Sequence, residues 1–204
     1  MPSALPTVPA KCLRCDAELK TPVVCDKCHS LHPIPAAIDH FALFGLERGY
    51  DLDPAELGRR FLGLAREIHP DFMGAKSPEE QALAIGLSAD VNQAYRVLKD
   101  PVLRAEYLLE LSGGDSAARD KSLPDGFLPR IMMLREEVEE SLAGGDRAAI
   151  ETHRRETVDE RRGACERIAE LARSLPAVTD DAKRELRRLL NSIKYYDNVI
   201  TLLP

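Results

Sequence analysis

The stretch Asp53-Pro-Ala-Glu-Leu-Gly-Arg-Arg-Phe-Leu-Gly-Leu-Ala-Arg-Glu-Ile-His-Pro-Asp71, continued by Phe72-Met-Gly-Ala-Lys-Ser-Pro-Glu-Glu80, decides the fold. Asp53-Pro54-Ala55-Glu56 is a helix start, with aspartate as N-cap, proline at the first position and glutamate placed to complete a capping box. The helix runs to Ile68. Pro70 has a fixed φ and no amide donor, and it pushes His69 out of the helical region, so the helix stops there. Ser77-Pro78-Glu79-Glu80 repeats the same start and opens a second helix to about Leu98. The two helices therefore lie antiparallel, and the loop His69-Pro70-Asp71 projects from their shared end with an imidazole beside a carboxylate. The bare tripeptide is equally compatible with an ordinary helix-ending turn; the flanking helices give it weight.

On a helical wheel Leu57, Phe61, Leu64, Ala65 and Ile68 share one face of the first helix. Arg59 and Arg66 point almost opposite, and Arg60 lies to the side. One face packs and the other is basic, either as a recognition surface or as a solvated one. In the next helix Leu83, Leu87, Val91, Ala94 and Leu98 form the expected buried stripe. A short apolar helix from Asp39 to Leu46 precedes the pair, and Asp100-Pro101 starts another helix carrying Leu103, Tyr107, Leu108 and Leu111.

Four of the five cysteines fall within one short N-terminal segment, as Cys12-x2-Cys15 and Cys25-x2-Cys28. Each pair offers two thiolates to one tetrahedral ion, the geometry zinc prefers at a closed structural site. With only Leu13, Leu19, Val23 and Val24 as larger apolar groups, this segment cannot fold by burial alone, and ligation of one Zn2+ would supply the missing free energy. His29 and His32 are alternative ligands or plain loop residues, and a redox dithiol is a third reading. His32-Pro-Ile-Pro35 is a stiff linker.

The chain of 204 residues holds one or two modest domains, and 44% hydrophobic with 30% charged residues is ordinary for a water-soluble protein. A net charge of −6 argues against a phosphate-neutralising surface, and Lys11, Arg14, Lys20 and Lys27 are too few to make the cysteine module a nucleic-acid reader. No apolar run reaches the roughly 18 residues of a membrane span, and the Pro-broken start lacks the apolar core of a secretion signal. The expected compartment is the cytoplasm, or the mitochondrial matrix if the source is eukaryotic.

Ser112-Gly-Gly-Asp-Ser116 through Leu123-Pro-Asp-Gly126 is a turn-rich connection. Beyond it Phe127, Ile131, Leu134, Val138 and Leu142 line a helix ended by Gly144-Gly145. A long charged helix carries Ile150, Thr157, Ala164, Ile168 and Leu171. The last helix has Ala182, Leu186, Leu189, Ile193, Tyr196, Ile200 and Leu203 at coiled-coil-like spacing, so the three should pack as a bundle. The fold class is all-α, with an N-terminal cysteine knuckle over 1–35, a helical domain over 36–112, a linker over 113–126 and a three-helix bundle over 127–204. Leu128, Met132, Glu136 and Glu140 recur every fourth residue beside the core stripe, a mixed apolar and acidic line suited to docking a partner or to broadening the core.

His69-Pro70-Asp71 between two long helices, with Val91-Asn92-Gln93-Ala94-Tyr95 and Leu98-Lys-Asp-Pro101, resembles a J domain. Phe41-Ala-Leu-Phe-Gly-Leu46, Ile68-His-Pro-Asp-Phe72, Asn92-Gln-Ala-Tyr95 and Arg104-Ala-Glu-Tyr-Leu-Leu109 narrow the resemblance to the HscB (Hsc-twenty) co-chaperone family. That resemblance implies a co-chaperone that brings an IscU-type iron–sulfur scaffold protein to a DnaK/HscA-type chaperone and stimulates its ATPase. It implies chaperone contact by His69, Pro70 and Asp71, with Arg59, Arg60 and Arg66 steering, and scaffold binding by Leu128, Met132, Glu136, Glu140 and Tyr195. Phe72 stands where many J domains have lysine, and Pro129 where the family often has an apolar contact. Whether two chains pair stays open. An enzyme would have to use His69 with Asp71, or Cys165 as nucleophile, and no phosphate loop, nucleophile elbow or metal-plus-base motif accompanies them.

Overall fold

In this computed structural model the described residues are 11–19, 21–35, 38–69 and 77–204. They form seven helices: α1 (His40–Leu43), α2 (Pro54–Ile68), α3 (Pro78–Lys99), α4 (Pro101–Leu111), α5 (Phe127–Gly144), α6 (Arg147–Arg173) and α7 (Asp180–Leu202). Only two isolated β-bridges occur among the described residues, both in the cysteine segment, and no described helix is long and apolar enough to cross a membrane. The chain divides into two compact units, Met1–Asp100 and Pro101–Pro204.

In the first unit α3 packs against both α1 and α2. The Asp39 carboxylate caps α1 by accepting from the Ala42 amide at 2.8 Å and pairs with Arg48. Asp53 caps α2 by accepting from the Ala55 amide at 2.9 Å, and Ser77 caps α3 by accepting from the Glu80 amide at 3.3 Å. Glu56 is turned from the expected capping box toward Arg60, whose hydrogen bond chiefly lowers its pKa. The two helices bury Leu57, Leu64 and Ile68 on one side and Ala84, Leu87, Val91, Ala94 and Leu98 on the other. Ala84 thus takes the place expected of Leu83, which is half-buried. Phe61 stacks on Tyr95 with ring centroids 4.0 Å apart, tying α2 to α3.

In the second unit α4 packs on α6 and α7, whereas the sequence reading groups it with the domain that precedes it. The 113–126 segment is also tied down rather than loose. Asn191 donates through Nδ2 to the carbonyls of Asp120 at 3.0 Å and Ser122 at 2.8 Å. The Arg187 guanidinium, 3% exposed, reaches Glu106 of α4 at 2.8 Å and Asn191 Oδ1 at 3.1 Å. Because α7 touches α4, α5 and α6 at once, its buried face is wider than a two-helix seam. Leu190 and Val199 are buried, while the predicted Leu189 and Ile200 are half-buried.

Gly144 closes α5 and Gly145 follows in the left-handed region at φ 67°, where a β-carbon would be strained. Its amide donates to Leu142 at 3.2 Å and the Asp146 amide to Ser141 at 3.0 Å, a Schellman motif. Asp146 then caps α6 through the Ala148 and Ala149 amides, both at 3.1 Å. Two residues thus end one helix and start its neighbour. Between α5 and α7, Phe127, Ile131, Val138, Tyr196, Val199 and Leu203 form a continuous apolar core.

Removing a buried guanidinium strands both its acceptors. Arg187→Ala is expected to destabilise the second unit by about 3 kcal/mol, seen as a lowered urea midpoint. Arg187→Lys should recover only part of this, because a point charge cannot bridge both acceptors; an unchanged midpoint for the alanine variant would show that the network is passive.

Candidate functional site

His69 sits at the C-cap of α2 with φ −65° and ψ 130°, the extended conformation a following proline imposes, and its side chain is exposed. Pro70 and Asp71 lie outside the described residues, as does Phe72. The three arginines of α2 differ in occupation. Arg59 is exposed and pairs with Glu56 one turn back. Arg66, seven residues further along the same face, is exposed. Arg60 donates from Nη1 to the carbonyls of Phe44 at 2.8 Å and Gly45 at 2.6 Å, and from Nε to Glu56 at 2.6 Å. It satisfies carbonyls that the short α1 leaves without intrahelical partners.

The four cysteines converge. Their sulfur atoms all lie within 4.8 Å of one another, with Cys12 to Cys28 and Cys15 to Cys25 each at 3.6 Å. Four thiolates ~2.3 Å from one ion would stand about 3.8 Å apart, so the donor set fits a single tetrahedral metal ion. The two turns that bring them together are built alike. Asp16 and His29, each following the second cysteine of a pair, adopt φ 54°, and their amides donate to the carbonyls of Cys12 at 3.0 Å and Cys25 at 2.9 Å. The bridges Lys11 to Glu18 and Val24 to Leu31 close the two turns in the same register. His29 therefore belongs to the turn geometry, and the sulfur set is complete without it.

The thiols could not all ionise unaided. The Ser30 hydroxyl is the main cause holding Cys12 down to about 5, and it also lowers Cys28. At Cys15 the lowering by the Ala17 amide is outweighed by burial and by the three neighbouring thiols, and its pKa is pushed up to about 12. Crowded thiols that resist a common negative charge are what a cation at their centre relieves.

The third feature is a groove of about 510 Å³ between α5 and α7. Leu128, Met132 and Tyr195 line it over a floor of Ile131 and Val199. Leu128 and Met132 are 43% and 56% exposed, unusual for large apolar residues on a helix that also feeds the core. Tyr195 is fixed edge-on to Phe127, centroids 5.9 Å apart, with Lys194 over its ring. Glu136 and Glu140 are exposed further along α5 and do not line the groove. The sequence reading missed Asn198 and Leu202, which also line it; their spacing of three and seven from Tyr195 was the available signal.

Residues 123–201 match the family model of the HSCB C-terminal oligomerisation domain. Among solved structures the chain is similar to chaperone HscB from Vibrio cholerae, at 29% identity and a TM-score of 0.66, covering 80% of this chain and 94% of that one. It is also similar to the human co-chaperone protein HscB, at 24% identity and a TM-score of 0.74, covering 93% of this chain and 94% of that one; this likeness speaks for the fold alone. The class is thus an all-helical protein of the HscB fold with a four-cysteine module at its N-terminus. Over residues 123–201 the chain is similar to the HscB family, and its fold is that of the HscB chaperones.

The unequal occupation of the α2 arginines has a measurable consequence. Arg60→Ala should lower the thermal stability of the first unit by about 1–3 kcal/mol, the worth of charge-assisted bonds to otherwise unpaired carbonyls. Arg66→Ala should leave it within about 0.5 kcal/mol. Equal midpoints for the two variants would deny Arg60 its supporting role.

Proposed function

We propose that this chain is a co-chaperone that binds an iron–sulfur scaffold protein of the IscU type, presents it to a DnaK/HscA-type chaperone and stimulates ATP hydrolysis by that chaperone. The match of residues 123–201 to the HSCB C-terminal domain and the likeness to chaperone HscB from Vibrio cholerae support an iron–sulfur cluster co-chaperone role. The single observation that carries the finer reading is the groove in which Leu128 and Met132 of α5 meet Tyr195 of α7. An exposed apolar cleft with an aromatic wall is a docking surface for a protein partner. Glu136 and Glu140 extend that surface along α5 with carboxylates suited to basic groups on the scaffold.

The chaperone contact is proposed at the other unit. His69, with Pro70 and Asp71, would engage the ATPase, and Arg59 and Arg66 on the outer face of α2 would steer and hold an acidic surface. Arg60 acts through the helix end that it supports. Catalysis belongs to the partner, and this chain works by binding best to the ATPase conformation that lies toward hydrolysis. We read the domains as a metal knuckle over 1–35, a J domain over 36–112 whose last helix is shared with the bundle, a connection over 113–126 and a scaffold-binding bundle over 127–204. The ion is taken as zinc, since four thiolates close its preferred shell and leave no open catalytic position. Cysteines that form no disulfide suit a reducing compartment, the cytoplasm or a mitochondrial matrix. The family description of an oligomerisation domain supports pairing of two chains as a further property.

His69→Gln is expected to abolish stimulation of the partner ATPase with helix content unchanged, measured by single-turnover ATP hydrolysis and circular dichroism. Full stimulation by a folded variant would remove the J-domain reading. Replacing Leu128, Met132 and Tyr195 together by alanine should weaken scaffold binding at least 100-fold, at about 1 kcal/mol or more for each contact, while the scaffold-independent ATPase effect persists. Unchanged affinity in a calorimetric titration would move the cargo site elsewhere.

A further inference from the structure

The two cysteine turns share a backbone but not their side chains. Counterparts lie 13 positions apart, as Cys12 to Cys25 and Cys15 to Cys28, so Ala17 and Leu19 of the first turn correspond to Ser30 and His32 of the second. The Cys12 amide donates to the Ala17 carbonyl at 2.7 Å and the Cys25 amide to that of Ser30 at 3.1 Å. The first turn therefore shows that this backbone needs neither a hydroxyl nor an imidazole. Yet Ser30 is 7% and His32 5% exposed, and buried polar groups persist only where they are partnered.

Their partners are the metal-ligating sulfurs. Ser30 Oγ lies 3.2 Å from Cys12 Sγ, 3.1 Å from Cys28 Sγ and 3.3 Å from His32 Nε2. Cys12 and Cys28 are themselves 3.6 Å apart, so the hydroxyl sits astride one edge of the sulfur tetrahedron. A hydroxyl has one proton and two lone pairs. When both sulfurs are thiolates neither can donate, so the hydroxyl proton goes to the sulfur edge. The third contact must then be a donor, the Nε2–H of His32.

We propose that Ser30 and His32 form a hydrogen-bonded outer shell of the metal centre, in which the imidazole N–H orients the hydroxyl and the hydroxyl donates to the Cys12–Cys28 thiolate edge, tightening the hold on the ion. The inference rests on the reading of the four cysteines as a metal site. Four thiolates around a divalent ion leave two surplus negative charges in a buried place, and each donated proton spreads them. In the first turn the counterpart of Ser30 is Ala17, which has no hydroxyl to offer the opposite edge, Cys15 and Cys25. Ser30 and His32 are positioning residues, since neither supplies a ligand.

The test uses the full-length chain, with Zn2+ affinity read by chelator competition and Co2+ absorption reading the thiolate charge-transfer bands. Ser30→Ala should bind Zn2+ about 10–100-fold more weakly and shift those bands, with helix content unchanged. His32→Leu should weaken binding less. The double variant, which gives the second turn the residues of the first, should be no worse than Ser30→Ala, because His32 acts through Ser30. Ser30→Thr should match the wild type within about twofold. If Ser30→Ala binds too little metal to titrate, His32→Leu reads the same contact, with His32→Gln restoring an N–H donor and the affinity. Wild-type affinity and unshifted bands in Ser30→Ala, or additive losses in the double variant, would overturn the outer shell. Failure of the wild type to take up either ion would instead overturn the metal reading beneath it.

Discussion

A guanidinium with almost no access to water fixes the C-terminal unit. Arg187 bridges Glu106 of α4 and Asn191 of its own helix, and Asn191 passes the connection on to backbone carbonyls at Asp120 and Ser122. A buried charge without its full set of partners is costly, so α4, the connecting segment and α7 can assemble only in the arrangement that satisfies all of them. Apolar contacts carry no direction of their own, whereas this network fixes which atoms must meet. With α7 held in register, Tyr196 and Val199 meet Phe127, Ile131 and Val138. The groove between α5 and α7 is the outer edge of that same packing.

Much of this was legible in the residues. The helix starts at Asp53 and Ser77 use side chains suited to capping, and each accepts an amide where the sequence places it. The cysteine spacing was equally plain, because four thiols in two short turns have few ways to meet. What escaped the sequence was whatever depends on a third neighbour. A period of three and four selects the face of a helix against one partner; α7 has three, so Leu190, Val199, Arg187 and Asn191 turn inward beside the expected seam. The same limit hid the role of Arg60, which a helical wheel places to the side of Arg59 and Arg66 and which reaches back to the end of α1.

The two units rely on different physics. In the bundle, interdigitated aromatic and branched side chains carry the fold, and ion pairs such as Arg161 with Asp197 at 2.5 Å and Arg167 with Glu185 at 2.7 Å decorate its surface. Among the described residues of the cysteine module Val23 and Val24 are the buried aliphatic side chains besides Pro22, and Leu13 stands 85% exposed. Directional contacts to sulfur replace a core there. The thiols are held by amides, by one hydroxyl and by each other, an arrangement whose mutual repulsion is resolved only by positive charge at its centre.

A module closed by an ion rather than by apolar burial obeys mass action. Its stability would grow with the logarithm of free ion activity, about 1.4 kcal/mol for each tenfold rise once the site is near saturation, whereas a bundle held by apolar burial has no such dependence. The paired turns at Asp16 and His29 would thus loosen first in a cell starved of the ion, long before α5 and α7 responded. One chain would then register scarcity at its cysteine turns and keep the groove between α5 and α7 intact.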